Sequence, residues 1–136
     1  MSNPSSEPRF PAWYPPNCPP LGAAEAVGVV FRFVANDPVE SGDFLSHHEL
    51  GLALQSNPCR RCSLSVYGTL ASARARLRLL RDRNPDRAER HIARGELAAG
   101  DGKLSQAGRD SDHYEWWAFD EVVRHRSFQV VERLGF

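Results

Sequence analysis

Seven of the ten prolines lie within the first 20 residues, and this cluster limits what the start of the chain can form. Proline has a fixed φ and no backbone N–H, so such a segment can neither continue a helix nor pair inside a sheet. We therefore expect residues 1–24 to form an extended arm and residues 25–136 to form a single domain. The aromatic residues Phe10, Trp13 and Tyr14 favour packing of the arm on the body. The alternative is an arm that binds the aromatic groove of a partner protein.

The composition narrows the class of protein. Apolar residues make up 41% and charged residues 25% of the 136 residues, as in ordinary soluble globular domains. The net charge is zero, which argues against general binding of nucleic acids. Arginine supplies all the basic residues except Lys103. This bias reflects either codon usage or a use for the bidentate guanidinium group on carboxylates or phosphates.

The cellular compartment is inferred from the absence of targeting and membrane-spanning patterns and from the number of cysteines. It shows no signal-peptide pattern and no apolar run near the roughly 20 residues that span a bilayer. Its three cysteines do not suggest a disulfide framework. We therefore expect a cytoplasmic protein with reduced thiols and no membrane partner.

Hydrophobic periodicity predicts the order of the elements. Residues 27–34 read as a strand with apolar residues on both faces, and residues 64–67 as a second, short strand. Residues 41–54 and 70–81 are predicted to be helical. Turn-separated segments then predict further strands at residues 91–97, 103–106, 112–119 and 127–134. The expected fold is α+β: a small mixed or antiparallel sheet with two main helices, in the order strand-helix-strand-helix followed by three or four strands.

Arg32 is the residue that the predicted core explains least. A guanidinium on a strand buried on both faces stays charged and needs a carboxylate, a ligand anion or solvent. Glu132 interrupts the apolar face formed by Phe128, Val130 and Leu134 on the last strand. Three explanations fit: a structural salt bridge of Arg32 with Glu132 or a similar carboxylate, an anion-binding role for Arg32, or a segment at residues 27–34 that is not a buried strand.

Two other clusters invite a chemical interpretation. The pair Cys59 and Cys62 has half of a zinc-site spacing and could instead be redox-active or consist of two ordinary thiols. The neighbouring His47 and His48 diverge by about 100° on a helix, so they cannot share a metal. We expect His48 at the edge of the core and His47 in solvent. No metal site is predicted.

The aromatic strand at residues 112–119 carries a third group of polar side chains. Alternation places His113, Glu115 and Trp117 on one face of this strand. A histidine and a carboxylate beside a tryptophan suit proton transfer or binding of a flat ring. The alternative is an aromatic-rich strand with its polar groups at the sheet margin.

An arginine on the first strand, the run Ser63-Leu64-Ser65-Val66-Tyr67 before a helix, and later strands with glutamate are together similar to the ADP-ribosyltransferase-type fold. That superfamily includes toxins and RNA 2′-phosphotransferases. The resemblance implies that Arg32 and either Ser65 or Tyr67 grip NAD, and that Glu115 or Glu132 assists loss of nicotinamide.

Two functions are therefore expected. The first is an NAD-like nucleotide site, with NAD or another small phosphorylated nucleotide as the ligand. Its catalytic residues would be His113, Glu115 and Glu132, and its ligand-binding residues Arg32, Ser65, Tyr67 and Trp117. The second is a non-catalytic module that binds a protein partner through the Pro-rich arm and the arginine-bordered helix at residues 70–81.

Overall fold

The computed structural model describes residues 8–109 and 111–134. Within them the chain forms an antiparallel sheet with the strand order β1-β5-β6-β3-β2-β4-β7. The strands are β1 (Ala24–Glu25), β2 (Gly28–Val34), β3 (Leu64–Tyr67), β4 (His91–Leu97), β5 (Gly102–Gln106), β6 (His113–Ala118) and β7 (Phe128–Arg133). The helices are α1 (His47–Leu50), α2 (Pro58–Arg61) and α3 (Leu70–Arg83), with 3₁₀ turns at Ser41–Phe44 and Ala99–Asp101. The α+β class and the four C-terminal strands agree with the sequence prediction.

Apolar residues cover both faces of the central strands. On one face Val30, Val34, Leu64, Val66 and Trp116 pack against Phe44 and Phe128, among other residues. On the other face Tyr67 and Ile92 pack against Ala73 and Leu77 of α3. The apolar residues on both sides of β2 are therefore explained by a cover on each face, as the alternation predicts.

Only one of the two main helices expected from the sequence is formed. Helix α3 begins after Thr69, whose side chain accepts a hydrogen bond from the amide of Ser72. The predicted helix at residues 41–54 is wrong: a 3₁₀ turn ends at Phe44, and the short α1 follows. Ser46 and Glu49 form a capping box that starts α1, and Gly51, with φ 69°, ends it. The capping box is a local start signal and the left-handed Gly51 is a local stop signal. Together they override the helical spacing of the apolar residues.

A bulge in β7 places Glu132 on the face of the sheet opposite to the predicted one. Ile92 pairs with Glu132 whereas the next residue, Ala93, pairs with Val130, so Val131 is an extra residue in the ladder. An extra residue moves the following side chain to the opposite face. Glu132 and Leu134 thus lie on the α3 side, away from Phe128 and Val130.

The described part of the arm packs on the body. Phe10 contacts Phe119 with ring centroids 4.8 Å apart, and the Tyr14 hydroxyl donates to the Ala118 carbonyl at 3.4 Å. Burial raises the pKa of Tyr14. Trp13 stacks on the exposed ring of His48, which therefore does not lie at the edge of the core as expected.

A disulfide joins the arm to α2. Cys18 is bonded to Cys59, and Cys62 is a buried free thiol. The expectation of three reduced thiols is therefore wrong, and the cytoplasmic placement, which relied partly on it, stays a prediction. The sequence missed the pairing because Cys18 and Cys59 are 41 residues apart, and connectivity cannot be read from spacing.

Candidate functional site

A groove of about 830 Å³ opens where β2 and β3 separate. Its floor comes from β2, β3 and β6, one wall from α1, α2 and the loop between them, and the other wall from the loop after α3. Arg81, which is buried, fixes that second wall by donating to the carbonyls of Pro85 and Glu89 at 3.0 and 3.1 Å. Four of the residues proposed from the sequence line the groove: Arg32, Ser65, His113 and Glu115.

Arg32 lies between the separating strands. Phe31 and Tyr67 form the one residue pair that β2 and β3 share. Beyond this pair the Arg32 guanidinium donates to the carbonyls of Ser65 at 2.9 Å and Asp43 at 3.0 Å. It also lies 5.4 Å from the centre of the Phe44 ring. The charge is thus held by backbone carbonyls and an aromatic face.

The alternative of an Arg32–Glu132 pair is therefore wrong. Glu132 accepts two hydrogen bonds from Arg74 of α3, both at 2.7 Å. Burial lowers the pKa of Arg32 to about 10, so its guanidinium remains charged at neutral pH. Glu89 and Asp43 favour the charged form and oppose the effect of burial.

The pairing of β3 with β6 brings three aromatic rings into a column under the groove. Tyr67 pairs with His113 and Ser65 with Glu115. The rings of Tyr67 and His113 stack at 4.9 Å, and Tyr67 also stacks on Phe33 at 4.9 Å. Tyr67 is itself buried below the groove, whereas Phe33 and His113 reach its surface.

His113 has an unused hydrogen-bonding atom. Its Nε2 is buried and has no hydrogen-bond partner among the described residues. Burial lowers the pKa of His113 below 6.5, and the nearby charges of Arg60 and Arg76 lower it further. The imidazole is therefore mainly neutral at pH 7, and its Nε2 lies beneath the surface of the groove.

Glu115 is paired with a cation of α2. Its carboxylate accepts a hydrogen bond from Arg60 Nε at 2.6 Å, and the residue is 8% exposed. Arg60 keeps 59% of its side chain exposed. Its remaining donors have no partner among residues 8–109 and 111–134. Helix α2 is positioned by Asn57, whose side chain accepts from the amides of Cys59 and Arg60, and by the disulfide at Cys59.

Three of the residues proposed from the sequence lie outside the groove lining: Tyr67, Trp117 and Glu132. Trp117 is completely buried, and its indole N–H donates to the Cys59 carbonyl at 2.9 Å. Trp116 is also buried and donates to the Asp101 carbonyl. Neither indole can stack on a ligand, so the proposed ring-binding role of Trp117 is wrong. The reason is that α2 covers this end of β6, which strand alternation does not predict.

The sequence pointed to neither Arg60 and Arg61 as groove residues nor Leu50 and Leu52 beside them. Arg61 Nε donates to the Leu52 carbonyl at 2.9 Å, so these residues belong to one wall. In the sequence, Arg60 and Arg61 stand out only as the residues between Cys59 and Cys62. The leucines give no signal of a loop, because the apolar period of residues 41–54 predicts an amphipathic helix.

The described residues contain no group of three or more His, Cys, Asp or Glu side chains that could hold a metal ion. In the same residues, no helix is long and apolar enough to cross a membrane. Comparison of the chain with protein-family models, curated proteins and solved structures found no match.

Proposed function

We propose that the groove binds a phosphorylated nucleotide, with NAD as the first candidate. The observation that carries the proposal is the pair of adjacent guanidinium groups, Arg60 and Arg61, on the groove wall. Each is held through Nε, which leaves the terminal nitrogens to form bidentate hydrogen bonds with phosphate oxygens.

Four carboxylates line the groove together with the arginines, and three of the four have partners. Asp43 is occupied by the amides of Ala35 and Glu40 and by the side chain of Asn36. Glu89 is paired with Arg87 and Glu115 with Arg60. A phosphate that approaches α2 therefore meets guanidinium groups before it meets an unpaired carboxylate, apart from the exposed Asp86.

His113 and Phe33 give the ligand a second point of contact. Both lie on the groove surface at the ends of the aromatic column. The unpaired Nε2 of His113 is buried, so the ring must turn toward the groove before this atom can bond a ribose hydroxyl or a base nitrogen. This arrangement separates an anion-binding wall from a polar and aromatic floor, as a nucleotide requires.

If the protein cleaves NAD, Glu115 is the groove carboxylate that lies beside the proposed phosphate site. A phosphate on the terminal nitrogens of Arg60 would leave the hydrogen bond from Nε to Glu115 in place. The C1′–nicotinamide bond then breaks with its electron pair leaving on nicotinamide. Water forms the new bond to C1′ and loses a proton to solvent, while Glu115 stabilises the positive charge on the ribose.

Calorimetric titration with ADP and NAD tests the proposal. We expect binding to the wild type and a loss of about tenfold in affinity in Arg60→Gln or Arg61→Gln, because each removes a charged hydrogen-bond donor. Arg94→Gln is the control, since Arg94 is exposed on β4 and outside the groove lining. Absence of binding at millimolar ADP, or an equal loss in the control, would contradict the proposal.

The second function, a protein-binding module, is favoured by one observation on α3. Leu79 is 41% exposed on this helix, and the neighbouring Arg76, Arg78 and Arg83 are also exposed. The arm contributes less to this function than expected because its aromatic residues contact the body. A partner bound here would lose affinity in Leu79→Ser and not in the groove variants.

A further inference from the structure

The wall that carries Arg60 and Arg61 also carries exposed leucines. We call residues 50–54 the leucine loop: Leu50, Leu52 and Leu54 in it are 49%, 52% and 72% exposed. Leu50, Leu52 and Ala53 line the groove. Clustered, exposed large apolar side chains are uncommon away from binding surfaces, so the loop needs an explanation.

Hydrogen bonds hold the leucine loop in place. The amides of Gly51 and Leu52 donate to the carbonyls of His48 and His47, and the amide of Ser56 donates to Ala53. The Arg61 side chain closes the loop onto α2 through the Leu52 carbonyl. The backbone that carries the leucines is therefore joined to α2, which carries the guanidinium groups.

The charge next to the leucines is positive. Residues 50–61 contain no carboxylate, and Glu49 is occupied by Arg124 at 2.6 Å. A ligand on this wall therefore meets an apolar surface beside Arg61 and beside Arg60, whose Nε is paired with Glu115. Inorganic phosphate would use only the cations, and a neutral alkane only the leucines.

We propose that the groove takes organic phosphates that carry an apolar alkyl or acyl chain. The phosphate binds Arg60 and Arg61, and the chain lies along Leu50 and Leu52. This proposal deepens the phosphate-binding function and rests on it. An acylated nucleotide and a simple alkyl phosphate share this chemistry.

Titration with inorganic phosphate, butyl phosphate and octyl phosphate, the last below its micellar concentration, measures the contribution of the chain. A fully buried methylene group strengthens binding roughly fourfold, and an open wall supplies about half of that free energy. Octyl phosphate has four more methylene groups than butyl phosphate and should therefore bind about 15-fold more tightly. Equal affinities for the two esters would overturn the proposal.

Substitutions separate this proposal from the nucleotide function. The double variant Leu50→Ser, Leu52→Ser should lose the chain-length dependence and keep its affinity for ADP. Leu79→Ser removes an exposed leucine outside the groove lining. This variant should change neither the chain-length dependence nor the affinity for ADP. If ADP binds but chain length has no effect, only the present inference fails; if ADP also fails to bind, the nucleotide function fails with it.

Vesicles containing phosphatidic acid distinguish a lipid source from a free ester. Binding of both monomeric octyl phosphate and these vesicles, lost together in the double variant, would support the proposal and identify lipid as a source. Binding of the monomer alone would support it with a soluble ligand. Binding to the vesicles without any binding of monomeric octyl phosphate would show that the groove is not the binding site and would overturn the proposal.

Discussion

Arg32 shows how one charged residue can be stable inside a sheet without a carboxylate partner. Its guanidinium donates to the Ser65 carbonyl where β2 and β3 separate, and to the Asp43 carbonyl of the 3₁₀ turn. Carbonyl oxygens of a separated strand need donors as much as the cation needs acceptors. The hydrogen bonds of Arg32 in the groove floor therefore stabilise the folded sheet, independently of any ligand.

Replacement of Arg32 should test this structural role. Arg32→Met removes two charged hydrogen bonds, so we expect the free energy of unfolding to fall by about 2 kcal/mol. The midpoint of urea-induced unfolding measures the change. Arg94→Met, on the neighbouring strand and exposed, should change stability by less than about 0.5 kcal/mol. Equal losses in the two variants would show that the Arg32 contacts do not stabilise the fold.

His113 should make stability depend on pH. Burial, then Arg60 and Arg76, lower its folded pKa below the ordinary value of 6.5, so the unfolded chain takes up a proton at higher pH than the folded protein. The stability that this site contributes is present above pH 6.5 and is lost as pH falls through the folded pKa.

Urea unfolding between pH 8 and pH 5 compares the wild type with His113→Gln. The variant should lose less stability over this interval than the wild type does, whatever its stability at pH 8. If the free energy of unfolding depends on pH equally in His113→Gln and the wild type, the lowered pKa of His113 does not contribute to stability and the prediction is wrong.

At the scale of elements, the strands were easier to predict than the segment between β2 and β3. Strands β3 and β4 have the predicted bounds because each is a short segment with apolar residues and turn residues flank it. Residues 41–54 have a helical apolar period, but Ser46 and Gly51 divide them. The bulge at Val131 moves Glu132 to the opposite face of β7, which strict alternation counted from Phe128 does not predict.

The left-handed residues of the leucine loop provide a matched pair of substitutions. Gly51 has φ 69° and Ala53 has φ 53°, a region that disfavours residues with a Cβ. Gly51→Ala should reduce stability by about 1 kcal/mol, whereas Ala53→Gly should increase it by about 0.5 kcal/mol. Thermal unfolding measures both. Changes of the same sign would mean that the loop does not have this backbone conformation.

At the scale of the molecule, the disulfide joins the arm to the wall of the groove. Cys59 lies in α2 beside Arg60, and its carbonyl accepts the Trp117 indole N–H. Disulfides are rare in the cytoplasm. The arm, α2 and β6 thus form one connected structure on one side of the groove.

Reduction should weaken this structure. Opening a loop of 41 residues lowers stability by about 4 kcal/mol in the chain-entropy description. Unfolding temperature measured with and without a phosphine reductant should fall for the wild type and for Cys62→Ala. Cys18→Ala should start low and show no response to the reductant. A wild type that is insensitive to reduction would contradict the Cys18–Cys59 bond.

The candidate site was predictable in part. The positions of Ser65, His113 and Glu115 follow from strand alternation once β3 and β6 are neighbours. Arg60 and Arg61 reach the groove only because α2 folds over β6, and Trp117 is buried for the same reason. Such contacts depend on the path of an irregular segment, which no periodicity encodes.

The central claim is that the wall formed by α2 binds phosphate. The most direct test is to follow the backbone amide resonances of the ¹⁵N-labelled protein during titration with ADP. We predict that the largest shifts occur at Arg60, Arg61 and His113, with little change at Leu79 of α3 or Gln129 of β7. Shifts confined to α3 or to the arm, or none at millimolar ADP, would contradict the claim.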